Sequence, residues 1–159
     1  MSERFHLRDV EPLMREVIEA GGEFVMNSNG TSMLPMLSDG KDRIVLVRAS
    51  LPLKRGDVAL YKRKSGQYVL HRAVKIYHDA SYGMCGDNQY IIERGVTDDM
   101  IIAKLKAYIK AGKRIECAGL GYRFYVSALC FRRLYKRLRA LPGRLLTAVC
   151  GKGAYDRSK

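Results

Sequence analysis

The spacing of apolar positions changes twice along the chain. Over residues 7–20, apolar side chains recur at the three- and four-residue spacing of one helix face, with charged residues between them. These apolar positions are Leu7, Val10, Leu13, Met14, Val17 and Ile18. We expect Gly21-Gly22 to end this amphipathic helix, because glycine readily adopts the left-handed conformation common at helix C-termini.

From residue 23 to about residue 118, the pattern is that of short strands separated by turn residues. The expected strands cover residues 24–26, 43–48, 58–63, 67–77, 82–85, 101–109 and 114–118. Lys64-Ser65-Gly66 predicts a β-hairpin between two of them. The strand over 43–48 is apolar on both faces, so we expect it inside the sheet. The pattern predicts a mainly β (α+β) protein with three parts: a helix (1–22), a β domain (23–118) and a basic helical appendage (119–159).

After Gly119 the period returns to that of a helix. An apolar stripe is formed by Phe124, Ala128, Phe131, Leu134, Tyr135, Leu138 and Leu141. Basic residues fill the rest of this helix, namely Arg123, Arg132, Arg133, Lys136, Arg137 and Arg139. The stripe either packs on the β domain or lies in the interface of an anionic bilayer, with the arginines outside in both cases.

The net charge of the chain sharpens this picture. Residues 103–159 hold fifteen basic and two acidic residues, which is the whole net charge of +13. Such a concentration predicts an anionic partner, either a phospholipid surface or nucleic acid. We expect peripheral membrane contact and regard nucleic acid as unlikely, because the aromatic residues lie mostly on the apolar stripe rather than among the arginines.

Composition narrows the class of protein. With 47% apolar and 28% charged residues, the chain is expected to fold rather than to be disordered. The charged N-terminus does not resemble a signal peptide, and the longest uncharged run of the basic part, residues 124–131, is too short to span a bilayer. We therefore expect a cytoplasmic or peripheral membrane protein. The four cysteines form no C-x-x-C pair, so neither a metal site nor a cofactor is expected.

Three polar residues of the β region could form a catalytic site. Ser32 follows Gly30 in a short segment stiffened by Pro35, His71 lies in an apolar strand, and Asp87 follows the strand over 82–85. A serine needs a base to accept its proton, and a carboxylate orients a histidine that acts as one. From the residues alone, each could equally have a structural role in a turn or a sheet.

Four blocks in order resemble type I signal peptidases and the related self-cleaving SOS-type repressors. The blocks are Gly30-x-Ser32-Met33-x-Pro35, residues 53–61 (LKRGDVALY), residues 70–74 (LHRAV) and Gly86-Asp87-Asn88. Residues 101–105 (IIAKL) are similar to the family's last conserved strand, with Ala103 in place of a glycine. The resemblance implies compact, barrel-like antiparallel sheets.

The resemblance also implies the site residues. Ser32 would be the nucleophile and His71 the general base, as in the endoplasmic-reticulum and archaeal branch, where Asp87 would also be required. Oxyanion and substrate contacts would fall on Gly30, Thr31, Met33 and Pro35, with the Ser32 backbone N–H as one oxyanion donor. The second donor is open, because Gly30 stands where some members carry a hydroxyl. The second acidic residue of that branch would be Glu93, Asp98 or Asp99.

The implied activity is that of a serine endopeptidase that removes a signal or leader segment from a precursor peptide, after small residues. The alternatives are a non-catalytic protein of this fold, a self-cleaving repressor-type protein, and a basic module that binds nucleic acid or membrane. Ala20-Gly21 resembles the dipeptide that the repressors cut, but Gly21-Gly22 also has an ordinary helix-ending role.

Overall fold

The first helix, α1, spans Leu7–Glu19 and buries Met14 and Ile18. The computed structural model describes residues 7–139, with side chains up to residue 132. Gly21 has φ +82°, and the N–H groups of Gly21 and Gly22 bond to carbonyls of the last helical turn. The predicted end of the helix is confirmed, since these bonds and the positive φ are those of a glycine helix cap.

Eight strands follow α1 and form one antiparallel sheet. They are β1 (Phe24–Asn27), β2 (Arg43–Val47), β3 (Val58–Lys62), β4 (Tyr68–Ile76), β5 (Tyr82–Cys85), β6 (Glu93–Val96), β7 (Ile101–Lys110) and β8 (Lys113–Glu116). A 3₁₀ turn, Asp98–Met100, precedes β7, and the second helix, α2, spans Gly119–Arg139. The strand order is β1-β2-β7-β3-β4-β5-β6, with β8 also paired to β7.

The mainly β, α+β fold is thus confirmed, but the expected barrel-like closure is not found. Within the described residues, the hydrogen-bonded path has two ends, the four-residue strands β1 and β6. Closure would require these two end strands to pair with each other. Instead, α1 packs against β1. The sheet is therefore open.

The longest strand, β7, lies inside the sheet and pairs with three other strands. It pairs with β2 on one side and with β3 and then β8 on the other. β2 lies between β1 and β7, as its apolar character predicts. A buried cluster on β3, β4, β5 and the segments beside them consists of Leu53, Ala59, Tyr61, Ala73, Tyr82, Met84, Val96 and Ile101.

The chain divides into two compact units, one reaching to Arg123 and one starting at Phe124. The sequence boundaries at residues 22 and 118 stay predictions. Of the helices that the structure describes, neither is long and apolar enough to cross a membrane.

Candidate active site

The loop between β1 and β2 holds Ser32 in a fixed position. Gly30 has φ +88°, a conformation that glycine adopts at little cost, and its N–H donates to Asp39 Oδ1 at 2.7 Å. Past the serine, Met33, Met36 and Leu37 are buried. The loop is therefore anchored on both sides of Ser32, which itself is half-buried.

His71 lies in the middle of β4, opposite Ala59 of β3, and is only 5% exposed. Its Nδ1 is 3.4 Å from the hydroxyl of Tyr61. Tyr61 pairs with Val69 in the same register, so Tyr61 and His71 are diagonal neighbours on one face of the hairpin. The hairpin register thus brings a buried phenol to one nitrogen of the histidine ring.

Tyr61 connects His71 to Glu93. The Tyr61 hydroxyl donates to Glu93 Oε2 at 2.6 Å, and the guanidinium of Arg63 donates to both oxygens of that carboxylate at 2.7 and 2.5 Å. Arg63 lowers the pKa of Glu93, while burial and the Glu93 charge raise the pKa of Tyr61. Glu93 is therefore ionised at neutral pH, and Tyr61 keeps its proton.

Asp87 forms a buried ion pair with Arg72, the residue after His71. Arg72 donates to the two Asp87 oxygens at 2.8 and 2.6 Å, and both side chains are at most 1% exposed. The same guanidinium donates to the Gly56 carbonyl at 2.8 Å and to the Tyr122 hydroxyl at 2.6 Å. Burial alone would lower the pKa of Arg72, but the Asp87 carboxylate raises it.

The turn that carries Asp87 lies directly against Ser32. The N–H of Asn88 donates to the Ser32 carbonyl at 2.8 Å. A Cβ on Gly86 would lie 2.6 Å from that carbonyl oxygen and 3.1 Å from Ser32 Cβ. The first residue of this turn is a glycine because only hydrogen fits there. The 86–88 turn thus contacts the serine segment through Gly86 and Asn88, while its Asp87 side chain pairs with Arg72 on β4.

A cleft of about 550 Å³ brings Ser32 and His71 together. Gly30 and Met33 also line it, so these four of the predicted site residues share one surface. Its other lining residues are Leu7, Met26, Asn27, Ser28, Asn29, Leu37, Ile44, Leu60, Arg63, Gln67, Tyr68, Val69, Leu70 and Gln89. Its size is that of a small-ligand or peptide-side-chain site.

Several other predicted residues lie elsewhere. Thr31 and Pro35 are exposed and do not belong to the cleft lining, and the Pro35 carbonyl accepts a hydrogen bond from Lys110. Of the three candidates for the second acidic residue, Asp98 accepts from Tyr82 and Asp99 accepts from Thr97, whereas Glu93 accepts from the phenol beside His71. The structure therefore connects Glu93, rather than the other two, to the histidine.

The predicted basic contacts lie on α2. Arg123 is exposed, and Arg132 is partly buried. The side chains of Arg133, Lys136, Arg137 and Arg139 lie outside the described residues. Phe124 and Phe131, two members of the predicted apolar stripe, are 74% and 73% exposed. These two side chains are therefore not part of a packed apolar face.

Sequence reasoning missed the roles of Tyr61, Arg63 and the N-terminal helix at this site. The hairpin signal at Lys64-Ser65-Gly66 contained part of the answer, because counting outward from that turn places Tyr61 diagonal to His71. No sequence signal indicated that Leu7 of α1 would reach the cleft.

Among the residues that the structure describes, no group of three or more His, Cys, Asp or Glu side chains could hold a metal ion. The chain matches no protein-family model. A search of the curated proteins also found no similar protein.

Proposed function

We propose that the protein is a serine endopeptidase, with Ser32 as nucleophile and His71 as general base, that cleaves a signal or leader segment from a precursor peptide. The observation that carries this proposal is the shared cleft: a serine in an anchored loop and a nearly buried histidine from a separate strand line the same cavity. Together with the four sequence blocks that resemble signal peptidases, this placement favours acyl transfer over a non-catalytic binding role.

The hydrogen bonds of the Tyr61 hydroxyl favour one tautomer of His71. Tyr61 donates its proton to Glu93, so its oxygen is left as an acceptor for a proton on His71 Nδ1. A histidine protonated at Nδ1 carries its lone pair on Nε2, which is the form a general base needs. Tyr61 and Glu93 would thus hold the tautomer that a carboxylate holds in other serine hydrolases.

In the proposed reaction, Ser32 Oγ attacks the carbonyl carbon of the scissile peptide bond while His71 accepts the hydroxyl proton. The tetrahedral intermediate then expels the amine, which takes that proton from His71 and leaves an acyl-serine. Water, deprotonated by the same histidine, then attacks the acyl carbon; the bond to Ser32 Oγ breaks, His71 returns the proton to that oxygen, and the acid product is released. No cofactor takes part in these steps.

The oxyanion would be held by backbone donors around the serine. The Ser32 N–H is the first donor in this proposal, as the resemblance implies. The Gly30 N–H is committed to Asp39 at 2.7 Å, so the second donor has to come from another group. Thr31 is the neighbouring candidate, although the cleft would have to rearrange around it, since Thr31 does not line the cavity.

The lining of the cleft bears on the substrate. Among the described residues that line the cleft, only Arg63 carries a permanent charge, and the carboxylate of Glu93 pairs with it. The other lining side chains are apolar or carry hydroxyl, amide or imidazole groups. Such a surface suits an uncharged, extended peptide segment. We place the substrate as a precursor peptide with small residues before the scissile bond, and the enzyme in the cytoplasm or at a membrane periphery.

Cleavage of a complex peptide mixture tests this proposal. The full chain and its Ser32→Ala variant are incubated with a tryptic digest of a bacterial lysate, and new termini are identified by mass spectrometry. Ser65→Ala, in the exposed hairpin turn, is the matched control. We expect cuts after small residues that the control retains and Ser32→Ala loses.

Two results would reject the proposal: no new termini with the unmodified chain, or the same termini with Ser32→Ala. The intact mass of the unmodified chain, followed in the same incubation, tests whether the protein cleaves itself as the repressors do. A cut at Ala20-Gly21 that the Ser32→Ala variant lacks would favour self-cleavage, because the same serine would then act on its own chain.

A further inference from the structure

One side of helix α2 presents large apolar side chains to solvent. Leu120, Phe124 and Phe131 are 72%, 74% and 73% exposed. They are four and seven residues apart, and these spacings place them on a single face of an α-helix. Exposed apolar residues that occur singly are ordinary, but three in one line along a helix indicate an interaction surface.

A hydrogen bond on the opposite side of α2 fixes the orientation of its first turn. Tyr122 lies on the side of the helix opposite Leu120 and accepts a hydrogen bond from the buried Arg72 at 2.6 Å. Burial raises the pKa of the Tyr122 hydroxyl, so the group is a neutral part of the interior. The exposed position of Leu120 is therefore built into the fold.

Charge indicates what this face binds. The whole net charge of +13 lies in residues 103–159, and the first 102 residues are neutral overall. Arg123, next to Phe124 in the helix, is exposed. An apolar line bordered by basic residues is the arrangement of helices that lie in the interface of an anionic bilayer.

We infer that α2 is a peripheral membrane-binding element, which inserts Leu120, Phe124 and Phe131 among the acyl chains of an anionic bilayer. A second copy of the chain is a poorer occupant, because two surfaces of such high positive charge repel each other. Nucleic acid is also a poorer occupant: the exposed line includes an aliphatic residue, which cannot stack on bases, and Tyr122 is committed to the interior.

Vesicle sedimentation tests this inference on the full chain. The vesicles contain phosphatidylcholine with about 30% phosphatidylserine, and pure phosphatidylcholine is the comparison. We expect binding to the anionic vesicles that falls as salt is added, because added ions screen the basic residues. The Phe124→Ser/Phe131→Ser variant should bind at least about tenfold more weakly, since it loses most of its apolar insertion.

The matched control is Leu51→Ser/Ile91→Ser, which removes two exposed apolar residues from the β region. It should bind the anionic vesicles as the unmodified chain does. Thermal unfolding of each variant, followed by circular dichroism, identifies any loss of fold. If the Phe124→Ser/Phe131→Ser variant does not fold, Phe124→Tyr/Phe131→Tyr is used in its place. This variant adds a polar hydroxyl to each ring and should bind the anionic vesicles more weakly than the unmodified chain does.

Equal binding by the phenylalanine variant and the control would overturn the inference, and so would the absence of binding to anionic vesicles. Two further measurements separate the other occupants. A dimer in analytical ultracentrifugation that the phenylalanine variant abolishes, without vesicle binding, would assign the face to a second copy. Binding of a single-stranded oligonucleotide that the phenylalanine variant abolishes, again without vesicle binding, would assign the face to nucleic acid.

Discussion

Gly86 lies so close to Ser32 that a methyl group on its α-carbon would come within 2.6 Å of the Ser32 carbonyl oxygen. The neighbouring Asn88 N–H donates to the same carbonyl at 2.8 Å. Because backbone of the Ser32 loop and backbone of the 86–88 turn meet here, neither can shift by a few tenths of an ångström without moving the other. The position of the proposed nucleophile is therefore set by a turn far away in the sequence.

Gly86→Ala should lower both stability and activity. The added methyl group meets backbone, which cannot yield as a flexible side chain can, so we expect a loss of about 1–3 kcal/mol in the free energy of unfolding. Displacement of Ser32 should lower kcat/KM by roughly 100-fold, since a displacement of about 1 Å can cost that much. Urea unfolding and peptide cleavage measure the two effects.

The control for this substitution is Gly121→Ala. A methyl group at Gly121 would meet no atom within 4 Å, and that glycine lies in helix α2. Alanine there should be neutral or slightly stabilising. If Gly86→Ala cleaves the peptide as fast as Gly121→Ala does, the close approach of Gly86 to Ser32 does not position the serine.

The ion pair between Arg72 and Asp87 predicts a large loss of stability. Asp87→Asn leaves a buried guanidinium without its counter-charge, so we expect a loss of about 3–5 kcal/mol in the free energy of unfolding. Glu23→Gln, at the solvent-exposed pair with Arg114, should cost far less than Asp87→Asn and serves as the comparison. Both are measured by urea unfolding at neutral pH.

The same variant distinguishes two roles for Asp87. In our account it positions the Ser32 segment through the 86–88 turn and fixes Arg72 beside His71. Activity and stability of Asp87→Asn should therefore fall together. Lost activity with unchanged stability would contradict this account, and would place Asp87 in the chemistry rather than in the support of the site.

Tyr61→Phe should weaken catalysis with a small effect on substrate binding. The substitution removes the oxygen that we expect to accept the His71 Nδ1 proton, while Glu93 keeps its two hydrogen bonds from Arg63. We expect kcat to fall by about tenfold or more, because His71 loses the group that orients it. KM should change little, because the contacts to the substrate are unaffected. Steady-state kinetics on one cleaved peptide provide both constants.

Tyr82→Phe is the matched control for that prediction. Tyr82 is also a buried tyrosine of the sheet, and its hydroxyl donates to Asp98 without lining the cleft. Its loss should lower stability and leave kcat unchanged. A similar fall of kcat in both variants would mean that Tyr61 acts only by packing.

Glu11 predicts an acid-dependent part of the stability. Burial opposes its ionisation, but hydrogen bonds from Tyr68, Lys62 and Arg15 lower the pKa of Glu11 to about 2. Its folded pKa lies below the ordinary value of 4.5, so the stability that it contributes is present above pH 4.5 and is lost as the pH falls toward 2. Removing the Glu11 carboxylate should therefore make the free energy of unfolding depend less on pH between pH 4.5 and pH 2.

The measurement is the free energy of unfolding of the unmodified chain and of Glu11→Gln between pH 7 and pH 2. We expect a difference of about 1–3 kcal/mol at pH 7 that shrinks toward zero at the acid end. Glu19→Gln, exposed on the same helix, is the control. A difference that stays constant with pH would show that Glu11 contributes by packing and not by charge.

Periodicity in the sequence predicted most of the secondary structure, since strands such as β5 and the end of α1 at Gly21 depend on local residues. It missed β6, because Glu93-Arg94-Gly95-Val96 combines charges and a glycine where a strand usually alternates apolar and polar residues. The family resemblance also favoured a barrel-like closure, and closure depends on which end strands meet, which no local pattern encodes.

The candidate site was predictable in its types of residue and not in its connections. Motif order singled out Ser32, His71 and Asp87, and the structure places the first two on one cleft. The partners that act on them come from long-range pairing: Glu93 reaches Tyr61 across the sheet, and Gly86 approaches Ser32 between loops. Contacts between residues so distant in sequence depend on register and close packing, and a single sequence contains little sign of either.

Single-turnover cleavage of one peptide by Ser32→Ala, His71→Ala and the double variant tests the central claim most directly. His78→Ala, in an exposed turn, is the control and should cleave normally. Because a nucleophile and its base act as one unit, each single variant should lose at least about 1000-fold, and the double variant should lose no more than the worse single one. Appreciable cleavage by Ser32→Ala, or losses that multiply in the double variant, would contradict the account.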